Sequence, residues 1–303
     1  MKRRPKISVI IPTYYRNELL VEAIESVLRQ EYEPVELIVV DDSGEGHAEP
    51  ILNQYDDVTG IIKETNGGCV AARRNGVQSS TGEYVHFLDD DDLFLEGKLS
   101  KTVEILENNP EAGVAFSGVK QDNGWQCAPS PEMSGDVLEE TLRFETFPCW
   151  TGSMLIERRL LTDIMPLPQL PAANDSLLMI ELAQRTRFDY VDEYLVYNRR
   201  EESEIWTGLN KIEGMRQLLD IKKTLYDQYP KLRRDVRTEI NFQEGAIRLN
   251  DGLWDSRAIA CFAKATYYAS EERLKYGGAL AASLFGRPGF RTAARIRNGL
   301  TES

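Results

Sequence analysis

Along the first ninety positions, short aliphatic runs alternate with stretches in which apolar residues recur every three or four places. Residues 7–11, 35–40, 58–62 and 84–88 have strand length and little polar surface on either face, which predicts strands buried on both sides. Leu20, Ala23, Ile24, Val27 and Leu28 form a helical stripe across 17–30, and 70–80 predicts a second helix. This alternation predicts an α/β fold with a mostly parallel, doubly wound sheet. Ligands of such sheets collect beyond the carboxyl ends of the strands.

Further along, the pattern predicts a helix over 98–107, a strand over 114–117 and a long, irregular connection over 120–148. A strand over 152–156, a helix over 176–185 and a strand over 188–197 complete the α/β part. From Asn210 onward the spacing is helical throughout, with Met215, Leu218 and Leu219, then Ile240 and Phe242, then Ile259 and Phe262 as stripe residues. The expected organisation is one α/β domain over 1–207 and a C-terminal helical extension over 208–303.

At 303 residues, with 42% hydrophobic and 28% charged residues, the chain can bury a sizeable core. No run reaches the roughly 18 apolar residues of a membrane-spanning helix. Met1 to Lys6 leads straight into a strand without a cleavage pattern, so we expect a native cytoplasmic start. Cys69, Cys127, Cys149 and Cys261 lie far apart with no CxxC pair, which favours reduced thiols over zinc ligation. A net charge of −13 speaks against nucleic acid as a partner, because phosphate binding needs a basic surface. The charge is uneven. From Arg273 onward six cations face one anion, a net +5 that leaves −18 on the rest of the chain. Arginines there alternate with Leu280, Leu284, Phe285, Phe290 and Ile296, which suits either an anionic membrane surface or a helical lid.

Chemistry concentrates at the strand ends. The strand 84–88 runs directly into Asp89, Asp90, Asp91 and Asp92. Carboxylates this close repel one another unless a cation is present, and hard ions such as Mg2+ or Mn2+ bridge carboxylates to diphosphate oxygens. The bland reading is a solvated acidic turn. Asp41 and Asp42 follow the strand 35–40 and belong to the same sheet edge, although Asp-Asp-Ser-Gly is also an ordinary turn. Asn66-Gly67-Gly68 leads into a helix that carries Arg73, placed to balance charge beside a nucleotide. Neither G-x-G-x-x-G nor G-x-x-x-x-G-K-[ST] is present, which weakens dinucleotide and P-loop readings.

Four segments together, ISVIIPTY at 7–14, LIVVDDS at 37–43, NGGCVAARRNG at 66–76 and TGEYVHFLDDDD at 81–92, resemble the family-2 glycosyltransferases of the GT-A type. The resemblance covers 6–100 strongly and fades by about 203. It implies an inverting transferase that uses a nucleotide-sugar donor and a glycan or polyprenyl-linked acceptor. Pro12, Thr13, Tyr14 and Asn66 would line the nucleotide pocket, with Asp41 or Asp42 on the base and Arg73 beside the nucleotide. Asp89-x-Asp91 would be the D-x-D element, Asp91 on the metal and Asp89 or Asp90 on the ribose or a metal-bound water. Asp175, after Asn174, would be the catalytic base. The chain departs from the usual pattern at Tyr15, Arg74 and Asn174. It departs again at Arg200, where many relatives carry a histidine; an arginine there could bind the diphosphate but not a metal.

Inversion needs one base for the acceptor hydroxyl and a Lewis acid for the leaving diphosphate. Glu181 and Asp163 are alternative bases, and Asp175 also has the ordinary chemistry of a helix cap. Trp150 and Trp125 could stack on acceptor sugar or fill core, and His86 reads as a packed core residue. A sugar nucleotidyltransferase would open with a glycine-rich loop and a lysine, which residues 12–16 lack. A receiver domain fails on length, and a non-catalytic nucleotide-sugar binding protein is the other alternative. Location at the inner face of the cell membrane is the expected extension of the cytoplasmic reading.

Overall fold

The structure is a computed structural model that describes residues 3–199 and 208–301, with side chains described up to residue 293; Arg200 lies outside the described residues. Two compact units are present, the first running to Gln169 and resuming at Asn174. In chain order it contains β1 (Ile7–Thr13), α1 (Asn17–Leu28), β2 (Val35–Asp41), α2 (Glu49–Leu52), β3 (Val58–Ile62), α3 (Gly68–Ser79), β4 (Tyr84–Phe87) and β5 (Leu93–Phe94). There follow α4 (Lys98–Asn108), β6 (Ala112–Gln121), β7 (Gln126–Cys127), α5 (Leu138–Arg143), β8 (Leu155–Glu157), α6 (Arg158–Ile164), α7 (Asn174–Ala183) and β9 (Arg187–Asn198).

The strands form one sheet in the order β3-β2-β1-β4-β8-β6-β9-β5, with β7 hairpinned onto β6. The first four are mutually parallel, β6 and β9 are parallel, and β8 lies antiparallel between the two groups. The mostly parallel α/β expectation holds, and its cause is visible in β1. Ile7, Val9 and Ile11 pack on one side with Leu20, Ile24 and Val27 of α1 and Leu99 and Val103 of α4. Ile10 points the other way, into a core with Ile38, Val40, Ala72 and Phe87. Each fully buried aliphatic side chain contributes about 1.5–3 kcal/mol, and the one buried serine of the strand, Ser8, is held by Glu36 and the Gly82 amide.

Four stretches differ from the sequence expectation, and one is β3, expected to be buried on both sides, which is an edge strand with Thr59, Gly60 and Ile62 exposed because only β2 pairs with it. The strand expected over 114–117 is ten residues long, because β6 is central and pairs along much of β9. The connection over 120–148 is partly ordered, with β7, a 3-10 turn at Pro131–Met133 and α5. Gly152, expected in a strand, sits instead in a 3-10 turn at Thr151–Ser153, closed by the Ser153 hydroxyl donating to the carbonyls of Pro148 (2.9 Å) and Trp150 (3.1 Å).

The second unit holds Leu170–Ala173 and the helices α8 (Gly208–Ile221), α9 (Lys223–Tyr226), α10 (Pro230–Asp251), α11 (Ser256–Tyr268), α12 (Arg273–Ser283) and α13 (Gly286–Thr301). Its core is aromatic, with Phe262 5.6 Å from Phe242 and 5.1 Å from Phe290 between ring centres. Buried Glu244 is ion-paired with Arg248 at 2.8 Å and with Arg216. No helix among the described residues is long and apolar enough to cross a membrane.

Helix α3 reaches β1 because Gly76 has no side chain: a Cβ there would collide with the side chain of Ile10. Gly76→Val should cost about 1–3 kcal/mol by overpacking, more than the helix propensity it gains. Urea unfolding at neutral pH measures it, and an unchanged midpoint would place α3 off the sheet.

Candidate active site

Parallel register aligns Thr13 with Asp41 and Ile10 with Phe87, so β1, β2 and β4 release their chains at one sheet edge. The acidic run Asp89–Asp92 and the pair Asp41-Asp42 both emerge there. Two arginines meet the acidic run. Tyr15, at φ 57°, turns the chain after β1, and Arg16 then caps α1 and faces the carboxylates. Its Nη1 lies 3.2 Å from Asp90 and 2.7 Å from Asp91. Arg73, buried on α3 and lying over the Phe87 ring, donates from Nη2 to Asp89 at 2.7 Å and from Nη1 to Asp175 at 3.1 Å. One guanidinium therefore brings together the strand end and the first turn of α7. Ala173, immediately before that helix, is held at φ 64°, a strained conformation for a residue with a Cβ.

The remaining carboxylates divide into two kinds. Asp90 accepts the Thr13 hydroxyl at 2.7 Å, and burial pushes its pKa up to about 6 against the lowering effects of Thr13 and Arg16. Asp92 accepts from Asn198 Nδ2 at 2.9 Å and from the Arg199 amide at 3.3 Å, and burial, with Asp89 and Asp91 adding to it, raises it well above the usual carboxylate range. Asp41 is fully buried, and its two oxygens accept the Ser43 amide at 2.8 Å and the Ala48 amide at 2.7 Å. Asp42 pairs with Lys63 and accepts the amides of Gly67 and Gly68 at 2.9 and 2.7 Å, while the Asn66 side chain bonds its carbonyl. These two acids fasten loops at the ends of β2 and α3.

Burial opposes the charge on Arg73, but Asp89 and Asp175 outweigh it and hold its pKa above the ordinary value. Its Nε is buried and has no hydrogen-bond partner among the described residues. Tyr14 is half exposed beside Asp90, with its ring free of the core. Glu181, the alternative base, is engaged by Arg185 at 2.7 Å, and Asp163 is exposed on α6.

Behind the acidic run, fully buried His86 bonds the Phe87 carbonyl at 2.8 Å and meets Phe94 edge-on, which fits its core reading. Lys98, also fully buried, donates to Ser117 Oγ at 2.9 Å and to the Ser153 carbonyl at 2.6 Å. It anchors the turn next to Trp150. Trp150 stacks on Phe147 at 5.5 Å and 9°, and Phe147 meets Trp125 at 5.4 Å, a row of rings with Phe147 half exposed. Arg16, Lys98 and Phe147 were not assigned from the sequence. Their roles arise from contacts across many residues, and no local spacing marks them.

Among the described residues, no three His, Cys, Asp or Glu side chains converge to hold a metal alone. Mg2+ and Mn2+ in general take one or two carboxylates together with substrate phosphates. Asp89 and Asp91, partly exposed, supply hard oxygen donors of that kind.

The profile of Glycosyl transferase family 2 matches residues 8–164, about half of the chain, and the chain belongs to that family. An uncharacterized glycosyltransferase of Rickettsia typhi is 37% identical over 102 residues, which are 34% of this chain and 32% of that protein, so the match spans about a third of the relative's length. S. aureus TarS 1-349 superposes with a TM-score of 0.66 at 20% identity over 97% of this chain and 92% of its own. The mannosyltransferase PcManGT of Pyrobaculum calidifontis, solved with GDP-Man and Mn2+, gives 0.59 at 20% identity over 100% and 89%. At that identity these likenesses establish the fold, which is GT-A.

Removing Arg73 leaves Asp89 and Asp175 uncompensated. Arg73→Met should cost about 1–3 kcal/mol, discounted because both acids are partly wet. Adding Asp89→Asn should return at least about 0.5 kcal/mol in a double-mutant cycle; strictly additive losses would deny the pairing.

Burial pulls the Lys98 amine down to about 7. Between that value and its ordinary value of about 10.4, the folded chain holds fewer protons than the unfolded one, so this residue makes stability rise with pH. The penalty of charging it is complete below about 7 and disappears as the pH climbs. Lys98→Met should flatten that rise in urea unfolding at neutral and alkaline pH, and parallel profiles would contradict it.

Proposed function

We propose that this chain is an inverting glycosyltransferase, moving a sugar from a nucleoside diphosphate sugar to a hydroxyl of a glycan or polyprenyl-linked acceptor. The observation that supports it most is Arg73 paired at once with Asp89 and Asp175, which sets the D-x-D run beside the carboxylate offered as base. TarS 1-349 has been solved with UDP-GlcNAc, and PcManGT with GDP-Man, so a donor of this chemical class suits the fold.

On this reading Tyr14 stacks on the base, Pro12, Thr13 and Asn66 line the pocket, and Asp41 and Asp42 shape its floor. Asp89 and Asp90 take the ribose side, and Arg73 turns part of its charge toward the diphosphate. Asp91, with Asp89, would hold a Mg2+ or Mn2+ ion, which supplies Lewis-acid charge to the departing diphosphate. Asp175 removes the proton of the acceptor hydroxyl as it attacks the anomeric carbon, and a single base suffices because no sugar–enzyme bond forms. Arg200 binds the diphosphate, and Trp150 offers its ring to the acceptor sugar. The residues 1–207 carry the reaction, and the helices of 208–303 serve as a contact with the inner face of the cell membrane.

Asp175→Asn separates this reading from a non-catalytic binder. Turnover, followed as nucleoside diphosphate release from UDP- and GDP-sugars, should fall about 10²–10⁴-fold, with donor affinity by calorimetry kept within a few-fold. Undiminished release in the variant would remove Asp175 from the chemistry.

A further inference from the structure

We propose that the loop joining α10 to α11 and the turn joining α12 to α13 form one apolar wedge that inserts into an anionic bilayer surface. Leu253 is 74% exposed, Trp254 59%, Leu284 58% and Phe285 78%. They come from two separate connections that are fixed side by side. The Arg287 amide donates to the Leu253 carbonyl at 2.8 Å, and Arg287 Nε lies 3.1 Å from the carbonyls of both Leu249 and Gly252. Gly286, at φ +66°, lets the turn close onto the loop, where a Cβ would strike the Leu253 carbonyl. The patch is therefore preformed, and no side chain has to be pulled out of the core to present it. Exposed apolar surface gathered in this way marks a place of contact.

Charge selects the occupant. Residues 273–301 carry Arg273, Lys275, Arg287, Arg291, Arg295 and Arg297 and no acid, whereas the chain as a whole is −13. In sequence Asp251 and Asp255 flank Leu253 and Trp254, and Asp255 accepts the Arg257 amide at 2.7 Å, while Lys275 pairs with Glu272 at 2.7 Å. An anionic bilayer attracts the basic helices and repels the acidic remainder, so it orients the chain as well as holding it. Trp254 suits such an interface, because its ring is apolar and its N–H can stay hydrated. The proposal deepens the membrane-side reading of the acceptor given above, and it does not depend on the transferase chemistry.

The whole chain is sedimented with vesicles of phosphatidylcholine alone and with vesicles of about 3:1 phosphatidylcholine to phosphatidylglycerol. The chain should pellet with the anionic vesicles only, with a blue shift in tryptophan emission that Trp254→Phe abolishes. Trp254→Ser with Phe285→Ser should weaken vesicle binding about tenfold or more, with nucleotide-sugar affinity unchanged as the check on folding. Leu253→Glu repeats the test through a different side chain. Failure of the unaltered chain to pellet would overturn the proposal, as would variants that pellet equally well. Variants that change only self-association by light scattering would make the wedge a contact between copies instead. Vesicle binding without any nucleotide-sugar affinity would sink the transferase reading and leave the wedge standing.

Discussion

Everything at the sheet edge answers to one electrostatic constraint: Asp89, Asp90, Asp91, Asp92 and Asp175 crowd the ends of buried elements and cannot all keep their charge unaided. Arg73 takes Asp89 and Asp175, Arg16 takes Asp90 and Asp91, and Asp92 is left to the Asn198 side chain and the Arg199 amide at the end of β9. The parallel strands fix where the carboxylates emerge, and α3 and α1 fix where the arginines stand. Strand burial, helix packing and site chemistry are thus one arrangement. The constraint also accounts for raised pKa values at Asp90 and Asp92, where burial outweighs the compensating contacts.

On the proposed function the same arrangement accounts for the donor site. Arginines that neutralise the acids internally are held by ion pairs that a diphosphate and a divalent ion can redistribute. The two residues flanking the site in left-handed backbone, Tyr15 and Ala173, are where the fold accepts local strain to aim Arg16 and begin α7. The aromatic row from Trp150 through Phe147 to Trp125 begins at the anchored turn of Thr151–Ser153, next to the acidic run. Its exposed ring faces suit the apolar side of a sugar.

β1, β2, β4 and the acidic run were legible because strands buried on both faces leave little choice of register or direction, whereas β3 has the same aliphatic look but is an exposed edge strand. What the sequence could not show was pairing at a distance. Nothing local indicates that Arg16 turns back to residues 74 and 75 positions away, or that Lys98, in the first turn of a helix, points inward to hold a carbonyl. Nor does the sequence show that Asp41 has a loop-fastening role, its two oxygens accepting the amides of Ser43, in an Asx-type turn, and of Ala48. Short elements such as α5, α6 and the turn at Gly152 fall below the length at which apolar periodicity can be read. The proximity of Asp175 to Asp89 followed only from family resemblance, since no spacing rule spans that separation.

The central claim, that the carboxylate edge is a donor site completed by a divalent ion, is tested most directly by melting temperature. The chain is heated with uridine, guanosine or thymidine diphosphate, each with and without Mn2+. Ligands that bind only the native state raise its melting point by mass action. The account expects a clear upward shift with one diphosphate in the presence of Mn2+, much reduced without the ion and in Asp91→Asn. No shift with any of the three, or one indifferent to both the ion and Asp91, would contradict it.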